Sequence, residues 1–185
     1  MSRLKDFYKY KTFFSLLRIT KKYNELFFSH EAKLTSILSI ITIILIVHIY
    51  FEIPDAKLAD VLKNLLNILI PALIGLLGFI IAGVTLMATI ISKEALKRID
   101  EINKIEKLAG ILYSFYFEGF IIGINIMLMI YIYLVLYIPM IIDFNMLLIM
   151  LIIMSYVFWF AIIYAITLLG TCINFFFMNI YYSDK

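Results

Sequence analysis

The sequence has little charge and few of the residues that interrupt helices. Lys, Arg, Asp and Glu make up only 16% of the 185 residues, and there are three prolines and seven glycines. In an ordinary soluble domain about a quarter of the residues are charged. Hydrophobic residues account for 64% of the chain, and the mean hydropathy is +1.03. This composition excludes an ordinary soluble domain and predicts an integral membrane protein, with room for several spans but not for a separate folded domain.

Other absences narrow the function. The single cysteine, Cys172, excludes an intrachain disulfide. There is no glycine-rich phosphate loop, no HExxH, no CxxC and no recognisable Ser/His/Asp set. An intramembrane enzyme would need at least two convergent ionisable groups, and only Glu118 qualifies. We therefore predict no enzyme activity and no catalytic, cofactor or metal site.

The apolar residues fall into four stretches, each long enough for a helix that crosses the hydrocarbon core. We place the spans at residues 34–51, 65–92, 119–138 and 146–169, within a four-helix transmembrane domain over residues 34–182. Ser29 is a good N-cap for the first span, which we expect to be an uncleaved anchor because no signal peptide precedes it. The predicted fold class is an all-α integral membrane protein.

Positive charge is concentrated in two segments. Residues 1–33 carry eight of the sixteen Lys and Arg residues, interleaved with aromatic side chains, and predict an interfacial amphipathic helix. Nucleic-acid binding is the alternative for such a pattern, but charge beside a first span already has a topological explanation, so no nucleic acid is expected. Residues 93–118 predict a charged helical hairpin, with a capping box at Asn103-Lys-Ile-Glu106. The hairpin is either a solvated connector or a docking surface for a cytoplasmic protein.

The distribution of Lys and Arg also predicts orientation. Fourteen of the sixteen lie in the N-terminal segment, the hairpin and the C-terminal tail, and only two lie in the loop after the first span. Cytoplasmic loops of membrane proteins carry the excess of positive residues. The N-terminus, the C-terminus and the hairpin are therefore expected in the cytoplasm, with the chain embedded as a multi-pass protein in the cell membrane.

Small residues recur on the second span at intervals of three and four, which places them along one face of a helix. The third span begins with a Gly-x-x-x-Gly pair. In lipid, helices associate through close packing of small residues rather than through a hydrophobic drive. We therefore predict a packing seam between these two spans, formed by Ala72, Gly75, Gly78, Ala82, Thr85, Gly119 and Gly123.

Two polar residues of the third span are candidate functional groups. Glu118 lies beside an aromatic cluster, so it is either an interfacial carboxylate or a functional group inside the membrane. Asn125 lies deeper in the span. Its amide is expected to bond to a neighbouring helix, or to form a polar ring along a pore if several copies assemble.

One region resembles a known class of proteins. The succession GFIIAGVTLMATIIS, a lysine-rich hairpin and LAGILYSFYFEGFIIGI, from Gly78 to Ile124, resembles the small four-span membrane proteins of bacterial anti-phage defence systems in layout and residue type. The resemblance implies a membrane-disrupting or sensing subunit that assembles with itself and receives a signal from a soluble partner.

Two classes of function follow from these features. The first is a homo-oligomeric, channel-like or membrane-perturbing effector or sensor subunit. The second is a subunit of a small-solute transporter, or a membrane anchor for a soluble partner. Carriers usually contain internal repeats or paired broken helices. The only such feature here is Pro71, so we expect the first class.

Overall fold

The computed structural model describes residues 22–52, 55–90, 105–138 and 144–183, and these residues contain helices and turns but no strand. A 3-10 turn at Lys22–Asn24 precedes five α-helices. We label the helices α1 (Glu25–Phe28), α2 (His30–Glu52), α3 (Asp55–Ile90), α4 (Ile105–Val135) and α5 (Phe144–Ser183). Helices α2 to α5 are each long and apolar enough to cross a membrane. The chain is an all-helical, multi-pass membrane protein, as its composition predicts.

Parts of two sequence predictions lie outside the described residues. Most of the predicted interfacial helix falls on residues 1–21, and the first part of the charged hairpin, with Asn103, falls on residues 91–104. The N-cap prediction, by contrast, is confirmed. The backbone N–H of Ala32 donates to Ser29 Oγ at 3.0 Å, and Ser29 itself is extended, with φ −76° and ψ 168°. This bend separates α1 from α2.

The third span begins earlier than the sequence analysis placed it. It covers Leu108–Val135, so it starts about three helical turns before Gly119. Residues 105–118, assigned above to a cytoplasmic hairpin, instead belong to α4. Three of the four aromatic residues that precede Glu118, Tyr113, Phe115 and Phe117, are buried in the core, whereas Tyr116 is exposed. Helix α4 continues through Glu118 because one glutamate does not end a helix whose other residues pack into the core.

The helices form a bundle in which α5 contacts all three other spans. Its main neighbours are α2 and α4, α4 also packs along α3, and α2 and α3 scarcely touch. The buried face of α3 consists of large side chains at intervals of four and seven residues, which is the spacing of one helix face. It contributes Leu58, Leu62, Leu66, Leu73, Ile80 and Met87 to the core.

The predicted pairing of the second and third spans is present, but the predicted seam does not form it. On α3 the five small seam residues (Ala72, Gly75, Gly78, Ala82 and Thr85) are all exposed. A Cβ added to Gly78 or Gly123 would meet nothing within 4 Å, and one added to Gly119 would make only an ordinary 3.7 Å contact with Leu77. The seam prediction is therefore wrong for packing within the chain. Large apolar side chains of α3 and α4 interdigitate in the contact between the two helices. The size of these side chains, rather than a row of glycines, sets the distance between the helix axes.

The one close approach of a glycine in this contact occurs at a residue that the seam omitted. A Cβ on Gly83 would lie 2.9 Å from Phe115 Cε1. Small buried residues are instead concentrated on the pair α2 and α5. They are Ala32, Thr35 and Ser39 on α2 and Ser155, Ala161 and Ala165 on α5. That pair is also joined by a hydrogen bond from Trp159 Nε1 to Thr42 Oγ1 at 2.9 Å.

Candidate functional site

Both candidate polar residues of the third span are completely buried. Glu118 and Asn125 are each 0% exposed, and Glu118 lies well inside the span Leu108–Val135. This burial within a candidate span supports the interpretation of Glu118 as a group inside the membrane. Because the two residues are seven positions apart on one helix, they share a face and are separated by about 10 Å along the axis. They form a polar track in the interior of the bundle.

Neither residue has a hydrogen-bond partner among the described residues. Both carboxylate oxygens of Glu118 and both amide atoms of Asn125 are buried without one, and so is the hydroxyl of Ser155 on α5. The predicted bond from Asn125 to a neighbouring helix is thus not present in the described part of the chain. Leaving one such group unsatisfied costs about 1–3 kcal/mol, and an ionised carboxylate costs more in a medium without water. Without partners, the polar side chains of Glu118, Asn125 and Ser155 do not stabilise the fold. They can instead interact with a polar or charged species.

Tyr164 of α5 packs against Phe117, the residue that precedes Glu118 on α4. Its ring is 4% exposed, stacks on Phe160 at a centroid distance of 5.3 Å and meets Phe117 edge to face at 6.2 Å. Since two aromatic contacts fix the ring, the position of the hydroxyl is fixed as well.

The Tyr164 hydroxyl connects the interior of the bundle to the N-terminal segment. It donates to Glu25 Oε2 at 2.7 Å. Lys22 Nζ donates to Glu25 Oε1 at 2.6 Å and to the Tyr164 oxygen at 3.4 Å. The Glu25 side chain is 37% exposed, so this carboxylate has access to the surroundings that Glu118 lacks.

A second tyrosine attaches the same segment to α5. The Tyr156 hydroxyl donates to the backbone oxygen of Leu26 at 2.5 Å. The segment Lys22–Phe28 is therefore docked on the bundle through two tyrosines, of which Tyr164 also packs against Phe117, the residue that precedes Glu118. Sequence reasoning missed Glu25 and Tyr164, because 139 positions separate them and neither belongs to a motif. The only available signal in the sequence was the presence of a tyrosine, Tyr164, within the apolar run of the fourth span.

The chemistry of the site is limited by how few ligands it offers. Within the described ranges no three His, Cys, Asp or Glu side chains come together as a metal site requires. One carboxyl group and one amide remain, with hydroxyls nearby. No protein family, curated protein or solved structure matches the chain, so the function has to be argued from this arrangement.

Proposed function

We propose that the protein is a channel-like membrane subunit that passes a cation across the bilayer by way of Glu118 and Asn125. The observation that supports the proposal is the complete burial of Glu118, without a hydrogen bond among the described residues, inside an apolar span. An ionisable side chain at such a position is costly, and those found in membrane proteins commonly belong to ion or proton pathways. A cation offsets the cost by supplying the missing opposite charge.

The location of Asn125 favours a pathway inside each chain. A polar ring formed by several copies would require Asn125 to face out of the bundle, whereas its side chain is 0% exposed. Orientation follows from the charge distribution: fourteen of sixteen Lys and Arg residues lie in residues 1–33, in residues 93–107 and in the C-terminal tail. We place these parts in the cytoplasm and the spans in the cell membrane, so that the docked segment Lys22–Phe28 faces the cytoplasmic side.

The test is ion flux through reconstituted protein. The native chain, Glu118→Gln and Asn125→Leu are placed in sealed liposomes, and the dissipation of an imposed proton, Na⁺ or K⁺ gradient is followed with fluorescent indicators. We expect flux of one cation from the native chain and a loss of about tenfold or more in Glu118→Gln. Met127→Leu is the matched control for Asn125→Leu, because Met127 is on the same helix and 72% exposed. Liposomes that stay sealed to all three cations with the native chain overturn the proposal.

A second candidate is a self-assembling effector or sensor that acts with a cytoplasmic partner, as in anti-phage defence. It is favoured by the small face of α3, where Gly75, Gly78 and Ala82 are exposed opposite the buried side of the helix. Such a face permits close contact with another helix. Mass measurement in lipid discs tests it: Gly78→Ile should break the oligomer, whereas Ile81→Leu, at a 60% exposed position, should not. A monomer that seals the membrane would instead favour a transporter accessory or an anchor for a soluble protein.

A further inference from the structure

We propose that the cation is a proton, and that Glu25 and Tyr164 form its route to Glu118 from the end of the bundle where the segment Lys22–Phe28 docks. This inference rests on the proposed function, because it specifies the ion and the entrance of the same pathway. Its basis is the hydrogen bond from the buried Tyr164 hydroxyl to the partly exposed carboxylate of Glu25, together with the packing of the Tyr164 ring against Phe117, the residue that precedes the buried Glu118.

The surroundings of Glu118 favour a proton over a metal cation. A desolvated Na⁺, K⁺ or divalent cation needs several oxygen ligands to replace its water. Among the described residues no group of three or more acidic, His or Cys side chains comes together near Glu118, so a multivalent cation has only one carboxylate there. Phe115 and Ile122, three and four positions from Glu118 on the same helix, are large, apolar and buried at 1% and 0% exposure, and the nearby Ser114 hydroxyl donates to the backbone oxygen of Gly110. A proton requires only one acceptor, which a single carboxylate supplies.

Tyr164 has the chemistry that a relay needs. A phenol both donates and accepts a hydrogen bond, and this one already donates to Glu25 Oε2 at 2.7 Å. When Glu25 is protonated, its O–H bond breaks as the Tyr164 oxygen takes that proton. The original phenolic proton leaves to a Glu118 carboxylate oxygen, and rotation of the hydroxyl restores the starting state. One proton has then moved from Glu25 to Glu118, and one negative charge has moved back.

The proton transfer from Tyr164 to Glu118 requires a contact that is not formed in this conformation. Glu118 makes no hydrogen bond among the described residues, so its carboxyl group has to rotate toward Tyr164, or a water molecule has to bridge the two. Among the described residues, the charged groups around the route are Lys22 and Glu25 on the N-terminal segment, Glu31 on α2, which accepts from Thr167 Oγ1 at 3.5 Å, and Glu118 on α4. The charged side chains of α3 with described contacts, Asp60 and Lys63, pair with each other at 3.9 Å near its first residues. Lys22 Nζ, 2.6 Å from Glu25 Oε1, provides a positive charge beside Glu25.

The two docking tyrosines provide a matched pair of variants. Tyr164→Phe keeps the ring between Phe117 and Phe160 and removes only the hydroxyl in the route. Tyr156→Phe removes a hydroxyl from the same helix and a bond to the same segment, but it does not touch Glu25. We expect Tyr164→Phe and Glu25→Gln to lower proton flux about tenfold or more, which is within the effect of one positioned proton-transfer group. Tyr156→Phe should change it less than about twofold.

A spectroscopic measurement separates a route from a merely structural role. The carbonyl stretch of protonated Glu118, identified by its loss in Glu118→Gln, is followed by infrared spectroscopy after transfer of the full chain from H₂O to D₂O. In Tyr164→Phe the band should keep its position while its shift on deuteration becomes slower. If Glu118→Gln conducts protons as the native chain does, the proposed function fails. If Glu118→Gln abolishes flux while Tyr164→Phe and Glu25→Gln conduct and exchange normally, only the route is overturned. Flux of Na⁺ or K⁺ that depends on Glu118 overturns the choice of the proton.

Discussion

The close approach of Gly83 to Phe115 makes a quantitative prediction about how α3 and α4 are held together. In Gly83→Ala the new Cβ would lie 2.9 Å from Phe115 Cε1, whereas carbon atoms pack best at about 3.5–4.0 Å. The ring of Phe115 is 1% exposed and has no free space at the surface into which it can move. One of the two helices must therefore shift.

The expected magnitude follows from two opposing terms. Overpacking a core typically costs about 1–3 kcal/mol, while exchanging Gly for Ala within a helix gains about 1 kcal/mol. Gly83→Ala should thus be neutral to about 2 kcal/mol less stable than the native chain. Gly78→Ala is the matched control, because it is on the same helix and its Cβ would meet nothing within 4 Å. Gly78→Ala should gain only the stability that Ala has over Gly within a helix. The free energies of unfolding of the two variants should therefore differ by about 1–3 kcal/mol.

The difference can be measured by unfolding in mixed micelles. Stability is obtained from an SDS titration followed by far-UV circular dichroism and by the emission of Trp159, the only tryptophan in the chain. Adding Phe115→Leu to Gly83→Ala removes the atom that clashes, and the double-mutant cycle should give a favourable coupling of about 0.5–3 kcal/mol. Equal stability of Gly83→Ala and Gly78→Ala, or zero coupling with Phe115→Leu, would refute the close approach and with it the observed register of α3 and α4.

Four further predictions concern other contacts. Thr42→Val removes the acceptor of the Trp159 indole and should cost about 1 kcal/mol and shift the Trp159 emission; an unchanged spectrum would contradict the α2–α5 contact. Ser29→Ala should cost about 1 kcal/mol through loss of the N-cap, whereas Ser29→Asp should not, as judged by the same titration. Lys63→Gln should cost about 0.5–1 kcal/mol because Lys63 Nζ lies 4.1 Å from the Tyr137 ring centroid, and the effect should vanish in Tyr137→Leu. Reporters fused after Lys185 should be cytoplasmic and those inserted near Lys57 external; the reverse would contradict the orientation.

The number and kind of membrane spans could be predicted from the sequence, because a run of apolar residues needs no partner to be recognised. The boundaries were less predictable where the run contained a charged residue. The sequence places Glu118 at the end of the hairpin, just before the span at 119–138, although Tyr113, Phe115 and Phe117 before it pack into the core. The local pattern does not distinguish an aromatic residue at a membrane interface from one inside a bundle, since both have the same neighbours in sequence.

The packing of the helices was predictable only in part. Spacing on α3 correctly separates a small face from a large face, but not which of them turns inward. In a membrane both faces are compatible with their surroundings, because lipid is as apolar as the core. In this chain the large residues Leu66, Leu73 and Ile80 turn inward. Gly83 escaped notice because its role depends on Phe115 of another helix, and sequence spacing contains no information on that distance.

The burial of Glu118 without a hydrogen-bond partner among the described residues lowers the stability of the fold. Removing a buried polar group that has no partner is frequently neutral or stabilising when a side chain of similar shape replaces it. Glu118→Met should therefore leave the SDS unfolding transition unchanged or raise it, while abolishing cation flux. A carboxylate that served only to hold the helices together would give the opposite result on the first measurement, since its loss would weaken the fold. Sites where stability is sacrificed to activity are expected to show this divergence. A variant that is both more stable and inactive would thus separate the function of Glu118 from its place in the core.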